Sequence, residues 1–400
     1  MNLKLKKIID FIFIIILVFY SGSVYIMLYP LGIPLLFLFF SIYLFLQGKQ
    51  KIFNKVLTDN IFSKVSIIYL IFTSLHFILL SNANLTSYVS LYCKIFTAAL
   101  FVMYYKQKLL EYYIKILRFI CKYSFIIWLL LFIPKVLSIL LLIGLDVPAT
   151  ENPFDKSLIF YHLNPNAYTK DPIRNSGPFW EPGAFVLFII VSLIFQLLIM
   201  RKNNLLRNKW ELLCLLSTFS TAGYIALFIF IGTYYILKKH NYFQLLFISI
   251  VAAYAFYNFD FLNDKLENEI EVTENSDKEY RSRYASVILD SEMIQRYPLL
   301  GSGYSDERYP KDLYGYREGT LSSFLDVFSR WGVLFGGGFI FCIFYSFLRI
   351  SQSKAISFTA VLTYVLIGFS QYFYMHSFFI IMPFLYMSSL KRQINKRHLS

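Results

Sequence analysis

Between residues 174 and 183 the chain reads RNSGPFWEPG. Two charged groups there could do chemistry. The Arg174 guanidinium is a rigid fork of donors that stays charged and binds phosphate bidentately. Glu181, seven residues on, could accept a proton from a hydroxyl-bearing substrate as a general base, or hold that hydroxyl in place. The intervening residues set a level for both. Gly177 and Pro178 form a turn, Trp180 suits a headgroup interface, and Pro182 fits the first turn of a helix. Glu181 also has a plain structural role open to it. Beside the positive end of a helix starting at Pro182, a carboxylate is stabilised by roughly 0.3–1 kcal/mol.

A second set of groups lies downstream. Arg281, Arg283, Arg296, Arg308, Arg317 and Arg330 join Arg174 as arginines, whereas lysine dominates most other basic segments. Guanidinium forks suit a pyrophosphate, although pairing with neighbouring Asp and Glu would also account for them. PLLGSGY places Gly301 and Gly303 in a turn that could cradle phosphate, a weak pattern by itself. Asp306 and Glu307 are further candidate bases. His376, a lone histidine near the C-terminal apolar runs, has a structural role as its first explanation.

The elements that carry these groups are apolar. The chain has 400 residues, of which 57% are hydrophobic and 20% aromatic, with a mean hydropathy of +0.56. A water-soluble domain has too little polar surface to cover such a composition. Apolar runs at 9–28, 31–47, 62–80, 86–105, 115–144, 183–200, 242–259, 321–347, 355–372 and 374–390 approach or exceed the length that crosses about 30 Å of hydrocarbon. The formal charge of +14 comes largely from lysines in short connectors, which favours the positive-inside rule over nucleic-acid binding. Lys4, Lys6 and Lys7 precede a first run with no small-residue cleavage site, so it reads as a retained span. Cys93, Cys121, Cys214 and Cys342 are scattered in apolar runs and suggest neither disulfides nor a metal site; no cofactor is implied.

Residues 210–237 are too long for one span and short for two. The basic stretches at 201–209 and 238–240 flank the segment, so it must cross an even number of times. A break near Ser220 to Gly223 would allow this, as two short helices or a re-entrant hairpin. The expectation is a single all-α polytopic membrane domain over 1–400, with about twelve transmembrane helices and both termini cytoplasmic. Two large loops, 145–182 and 260–320, fall on the outer face. The second includes an amphipathic helix between Tyr280 and Tyr297, expected to lie on the membrane face through Tyr284, Val287, Ile288 and Ile294.

RNSGPFWEPGAF, STFSTAGYIALFI, RSRYASVILDSEMIQRYPLLGSGY and SSFLDVFSRWGVLFG occur in this order. Together they resemble the O-antigen polymerase family (Wzy type) of the polysaccharide polymerase and O-antigen ligase superfamily, over roughly 165–350. The resemblance implies a plasma-membrane enzyme of the bacterial envelope that joins oligosaccharide repeat units carried on undecaprenyl diphosphate. The product would be O-antigen (the polysaccharide of lipopolysaccharide), capsule or exopolysaccharide. It implies catalytic roles for Glu181, Arg174 and Arg283, and substrate contacts from Arg281, Arg296, Arg308, Arg317, Trp180, Gly301 and Gly303. Membrane lipid, a chain-length regulator and a flippase are the partners it implies. Ligases of the superfamily carry a histidine shortly before the span that begins SSFLDVF; here Leu321 occupies about that place, which favours a polymerase. The alternatives are a ligase-like transferase or a lipid-linked oligosaccharide flippase. A flippase would call for more ionisable groups within the spans than Lys94, Lys122, Lys135 and Asp326.

Overall fold

A computed structural model of the chain describes residues 3–24, 32–80, 83–147, 154–169, 172–199, 208–237, 283–304 and 322–389. Helices account for most of them. In chain order α1 is Leu3–Tyr20, α2 Gly32–Leu46, α3 Lys51–Leu57, α4 Asn60–Leu79, α5 Leu85–Tyr105, α6 Gln107–Leu130 and α7 Pro134–Ile143. After a small sheet come α8 (Pro165–Tyr168), α9 (Pro182–Ile199), α10 (Lys209–Ser217), α11 (Thr221–Leu237) and α12 (Arg283–Arg296). Then follow α13 (Ser323–Ser351), α14 (Lys354–Ser370) and a closing 3-10 helix, Phe379–Ser389.

Among the described residues α4, α5, α9 and α13 are long and apolar enough to cross a membrane. The expected twelve crossings are therefore not supported, and the reasons are local. The 115–144 run breaks after α6, because Pro134 fits only the first turn of a new helix and α7 then lasts ten residues. The 374–390 run becomes a turn followed by a 3-10 helix containing Pro383. Gly32–Leu46 and Lys354–Ser370 are apolar but short, at 15 and 17 residues. The first run sits in α1, whose opening turns carry Lys4, Lys6, Lys7 and Asp10. The 242–259 run lies outside the described residues.

The 210–237 segment divides as its composition suggested. α10 ends at Ser217, Phe219 takes a left-handed φ of 46°, and α11 starts at Thr221. Gly223 is needed at this bend, since a Cβ there would lie 2.7 Å from the Val186 side chain.

At the centre is α9, where every residue from Pro182 to Leu198 is buried. Apolar burial provides little driving force between helices in lipid, so close packing and buried hydrogen bonds must hold the bundle. Both are present. Tyr113 of α6 stacks on Phe378 with ring centroids 4.3 Å apart and donates to the Phe188 carbonyl of α9 at 2.9 Å. Near the other end of α9, Glu211 is fully buried and accepts from Arg118 Nε and Gln196 Nε2, both at 3.2 Å, which joins α6, α9 and α10.

The described residues of 145–182 form a folded cap. Two-residue strands β1 (Leu145–Asp146), β2 (Lys156–Ser157) and β3 (His162–Leu163) form an antiparallel sheet in that order. The sheet leads into the RNSGPFWEPG stretch through two bonds: His162 N–H donates to the Gly177 carbonyl, and Ser176 Oγ donates to the His162 carbonyl.

The helix expected between Tyr280 and Tyr297 is α12, but its buried face differs from the expected one. Ser286, Leu289, Asp290 and Met293 are buried, while Val287, Ile288 and Ile294 are only half-buried. A hydrogen bond sets this face: Ser329 Oγ of α13 donates to the Asp290 carboxylate at 2.7 Å. The helix is thus docked on α13.

Candidate functional site

RNSGPFWEPG starts α9 in the expected way. Phe185 N–H donates to the Glu181 carbonyl, which puts Glu181 at the cap position ahead of Pro182. Gly177 has φ of 56° and would place a Cβ 2.9 Å from the Phe185 ring, so the turn tolerates only glycine. The two charged ends of the motif face different neighbours. Arg174 Nε donates to the Thr218 carbonyl at 3.1 Å, and Asn175 bonds Ser217 through backbone and side chain. Arg174 thereby fastens the cap to the α10–α11 bend. Glu181 shares the space over Gly183 with Gln371, whose Nε2 is buried and has no hydrogen-bond partner among the described residues. Trp180 stacks on Phe373 at 5.1 Å and meets the His376 ring at 6.1 Å.

That turn, residues 371–378 between α14 and the 3-10 helix, forms one wall of a polar cavity of about 390 Å³. Tyr372, Met375 and His376 contribute from the turn. Thr86, Ser87, Ser90, Leu91 and Lys94 contribute from α5, and Tyr304 comes from the second loop, just after the GSG turn. The α5 groups share a face because 87, 90, 91 and 94 recur at helical spacing.

Lys94 is the unusual member. It lies nine residues into α5, about 13 Å along the axis. Its Nζ donates a long bond, 3.4 Å, to the Met375 carbonyl, and among the described residues no carboxylate pairs with it. A second cation, Arg330 of α13, stands behind the cavity wall against Tyr372 and Tyr304. Arg330 is buried and chelated by Asp326, one turn earlier, through bonds of 2.9 and 3.3 Å. It also donates to Tyr372 Oη at 3.3 Å and lies over the Tyr304 ring at 4.3 Å. Asp326 offsets Arg330, so among the described residues Lys94 carries the cavity's excess charge. Burial, with a smaller push from the Lys94 ammonium, drives the His376 imidazole down to about 3. His376 is therefore neutral near pH 7 and offers a hydrogen bond without charge.

The kink that aims Arg330 comes from glycine. Gly332 breaks α13 with φ of 70°, and Gly301 (φ 74°) presses against it: a Cβ on either would meet the other strand's backbone within 2.5 Å. The amides of Ser302 and Gly303 donate to the carbonyls of Ser329 and Arg330, Gly301 N–H to Tyr297, and Tyr304 N–H to Tyr88 Oη. The GSG turn is a brace for α13, and its N–H groups are spent inside the fold, which removes the expected phosphate-cradle role of Gly301 and Gly303. Below it, His76 Nε2 contacts the Leu300 carbonyl at 2.8 Å, and Nδ1 contacts Tyr88 Oη at 2.9 Å.

No protein-family model matches the chain, and no curated protein or solved structure shows significant similarity to it. The site is therefore characterised by its own geometry. Trp180 and Glu181 lie beside the cavity wall. Arg174 is anchored at the α10–α11 bend. Arg296 is exposed at the end of α12, and Arg283 is placed only by its backbone, at the start of that helix. Arg281, Arg308 and Arg317 lie outside the described residues, as do Asp306 and Glu307. Lys94, Tyr304 and Tyr372 were not among the expected site residues. Lys94 carried a legible signal, because an ionisable group inside an apolar helix is a functional candidate by default.

Proposed function

We propose that this chain is a polysaccharide polymerase that joins oligosaccharide repeat units carried on a polyprenyl diphosphate, at the outer face of a bacterial plasma membrane. The observation that supports it best is Lys94, a half-buried cation that no carboxylate pairs with among the described residues. It lines a cavity whose other walls carry hydroxyl and aromatic groups beside Leu91 and Met375. Such a cavity matches a sugar joined to a diphosphate: tyrosine and serine hydroxyls meet sugar hydroxyls, aromatic faces stack on sugar rings, and the ammonium meets the phosphate.

In the reaction, an acceptor hydroxyl attacks the anomeric carbon of the donor. The new glycosidic bond forms as the bond to the diphosphate oxygen breaks, and the lipid diphosphate leaves with the electron pair. Lys94, backed by the field of Arg330, stabilises the charge that grows on the leaving group, so no metal is required for that task. Glu181 takes the acceptor's proton, from a position fixed by the Trp180 stack and the Pro182 helix start. Neutral His376 and Tyr372 orient hydroxyls. In this reading Arg174 positions the Glu181 cap through the α10–α11 bend.

Deleting the gene and analysing lipid-linked and surface glycan tests the proposal. Single repeat units should accumulate, either on lipid or capped on the acceptor; unchanged chain lengths overturn it. Glu181→Gln and Lys94→Met should each abolish long chains at normal membrane levels. Normal ladders from Glu181→Gln would remove the base role.

A further inference from the structure

A second, apolar space of about 140 Å³ adjoins the polar cavity, between α4, α5, α13 and the 3-10 helix. Among the described residues Leu91 and Met375 line both, so these two side chains form the partition between them. Ile68 and Leu334 also line the apolar space and are 44% and 60% exposed, so it opens on a face that meets hydrocarbon. On α13 the space is left by glycine. A Cβ on Gly336 would press on the Phe328 ring, whereas one on Gly337 or Gly338 would meet nothing within 4 Å. Among the described residues, helix packing thus makes no use of the bareness of Gly338. A space of about 150 Å³ lined by apolar side chains holds a benzene-sized group, which is room for the start of one chain and not for two.

We propose that a lipid phosphate with a single apolar chain binds across both spaces. Its phosphate lies at Lys94, the first segment of its chain passes Leu91 and Met375 along Gly338, and the remainder leaves past Ile68 and Leu334 into the bilayer. Charge complementarity fixes the head end, and continuity of the two linings fixes the path. This site rests on the polymerase reading for its natural ligand, a polyprenyl diphosphate. The amphiphilic character of the site follows from the two adjoining cavities themselves. A two-chain phospholipid does not fit, because the slot admits one chain at the glycine face.

The test uses the full chain in detergent micelles and equilibrium binding of farnesyl diphosphate and inorganic pyrophosphate. Wild type should hold farnesyl diphosphate about tenfold or more tighter than pyrophosphate, the difference being chain burial. Gly338→Leu should erase that advantage and leave pyrophosphate binding unchanged, whereas Lys94→Met should weaken both. Cys342→Trp, one turn further along α13, should act like Gly338→Leu and decides the matter if that variant does not fold. Wild-type farnesyl diphosphate binding in both slot variants overturns the proposal. So does displacement by equimolar phosphatidylglycerol, which would mark an ordinary phospholipid site. If the binding pattern holds while gene deletion leaves glycan length unchanged, the lipid site stands and the polymerase reading alone falls.

Discussion

Asp326 and Arg330 show how much one buried pair is asked to do. Their side chains are 1% and 10% exposed, and the carboxylate holds a guanidinium that also touches Tyr372 and Tyr304. Removing one partner of such a pair leaves a buried charge uncompensated, typically at about 3–5 kcal/mol. Asp326→Ala should therefore lower the thermal midpoint sharply in detergent, while Asp326→Glu should recover part of it; an unchanged midpoint for the alanine variant would show that the pair contributes little. His376 gives a pH dependence of defined sign. Its folded value of about 3 is below the ordinary 6.5, so the unfolded chain binds a proton that the fold refuses. Stability from this group is complete above pH 6.5 and is lost progressively as pH falls toward 3. His162 is also held low, chiefly by burial, with Asp155 opposing. A melting series from pH 7.5 to 4 should decline, and His376→Gln should flatten part of the decline while His162 keeps the rest. A steeper slope in the variant would contradict this assignment.

At the scale of elements, α13 carries two glycines with opposite duties. Gly332 combines a φ of 70° with a ψ of 174°, an essentially glycine-only region where an L-residue loses roughly 1–3 kcal/mol, and a Cβ there would collide with Leu299 backbone. Gly338 is helical and faces open space, where alanine is favoured over glycine by about 0.5–1 kcal/mol. Gly332→Ala should thus fail to accumulate or melt early, and Gly338→Ala should melt slightly higher than wild type in the absence of ligand. The same elements mark what the sequence could and could not convey. α4, α5, α9 and α13 follow from uninterrupted apolar runs, and the α10–α11 bend from the length and small residues of 210–237. Counting runs failed where one proline or a short stretch changed the geometry, as at Pro134 and Pro383. Trp180 and Glu181 were legible because turn, aromatic and helix start adjoin in sequence. The Lys94 cavity was not, because α5, Tyr304 and the 371–378 turn are far apart along the chain and meet only through packing. Gly301 and Gly303 misled for a related reason: a GSG turn looks alike whether its amides face a ligand or a helix.

For the whole molecule, the proposed orientation puts the start of α5 and the cap outside, and α3 inside. Asn84 and Asn54 are both exposed and flank the length of the α4–α5 pair at opposite ends. In intact cells Asn84→Cys should react with a membrane-impermeant maleimide and Asn54→Cys should not until the membrane is opened; the reverse pattern would invert the topology. The contact that holds the second loop to this framework also has a direction. The Leu300 carbonyl can only accept, so His76 must carry its proton on Nε2. Its Nδ1 must then accept from the Tyr88 hydroxyl, whose oxygen accepts from Tyr304 N–H. Every member of that row is spoken for and none can reverse without breaking its neighbour. The 300–304 turn thus docks on one tautomer of one histidine, and the aromatic ring that roofs Arg330 is kept in place by the bookkeeping of a single proton.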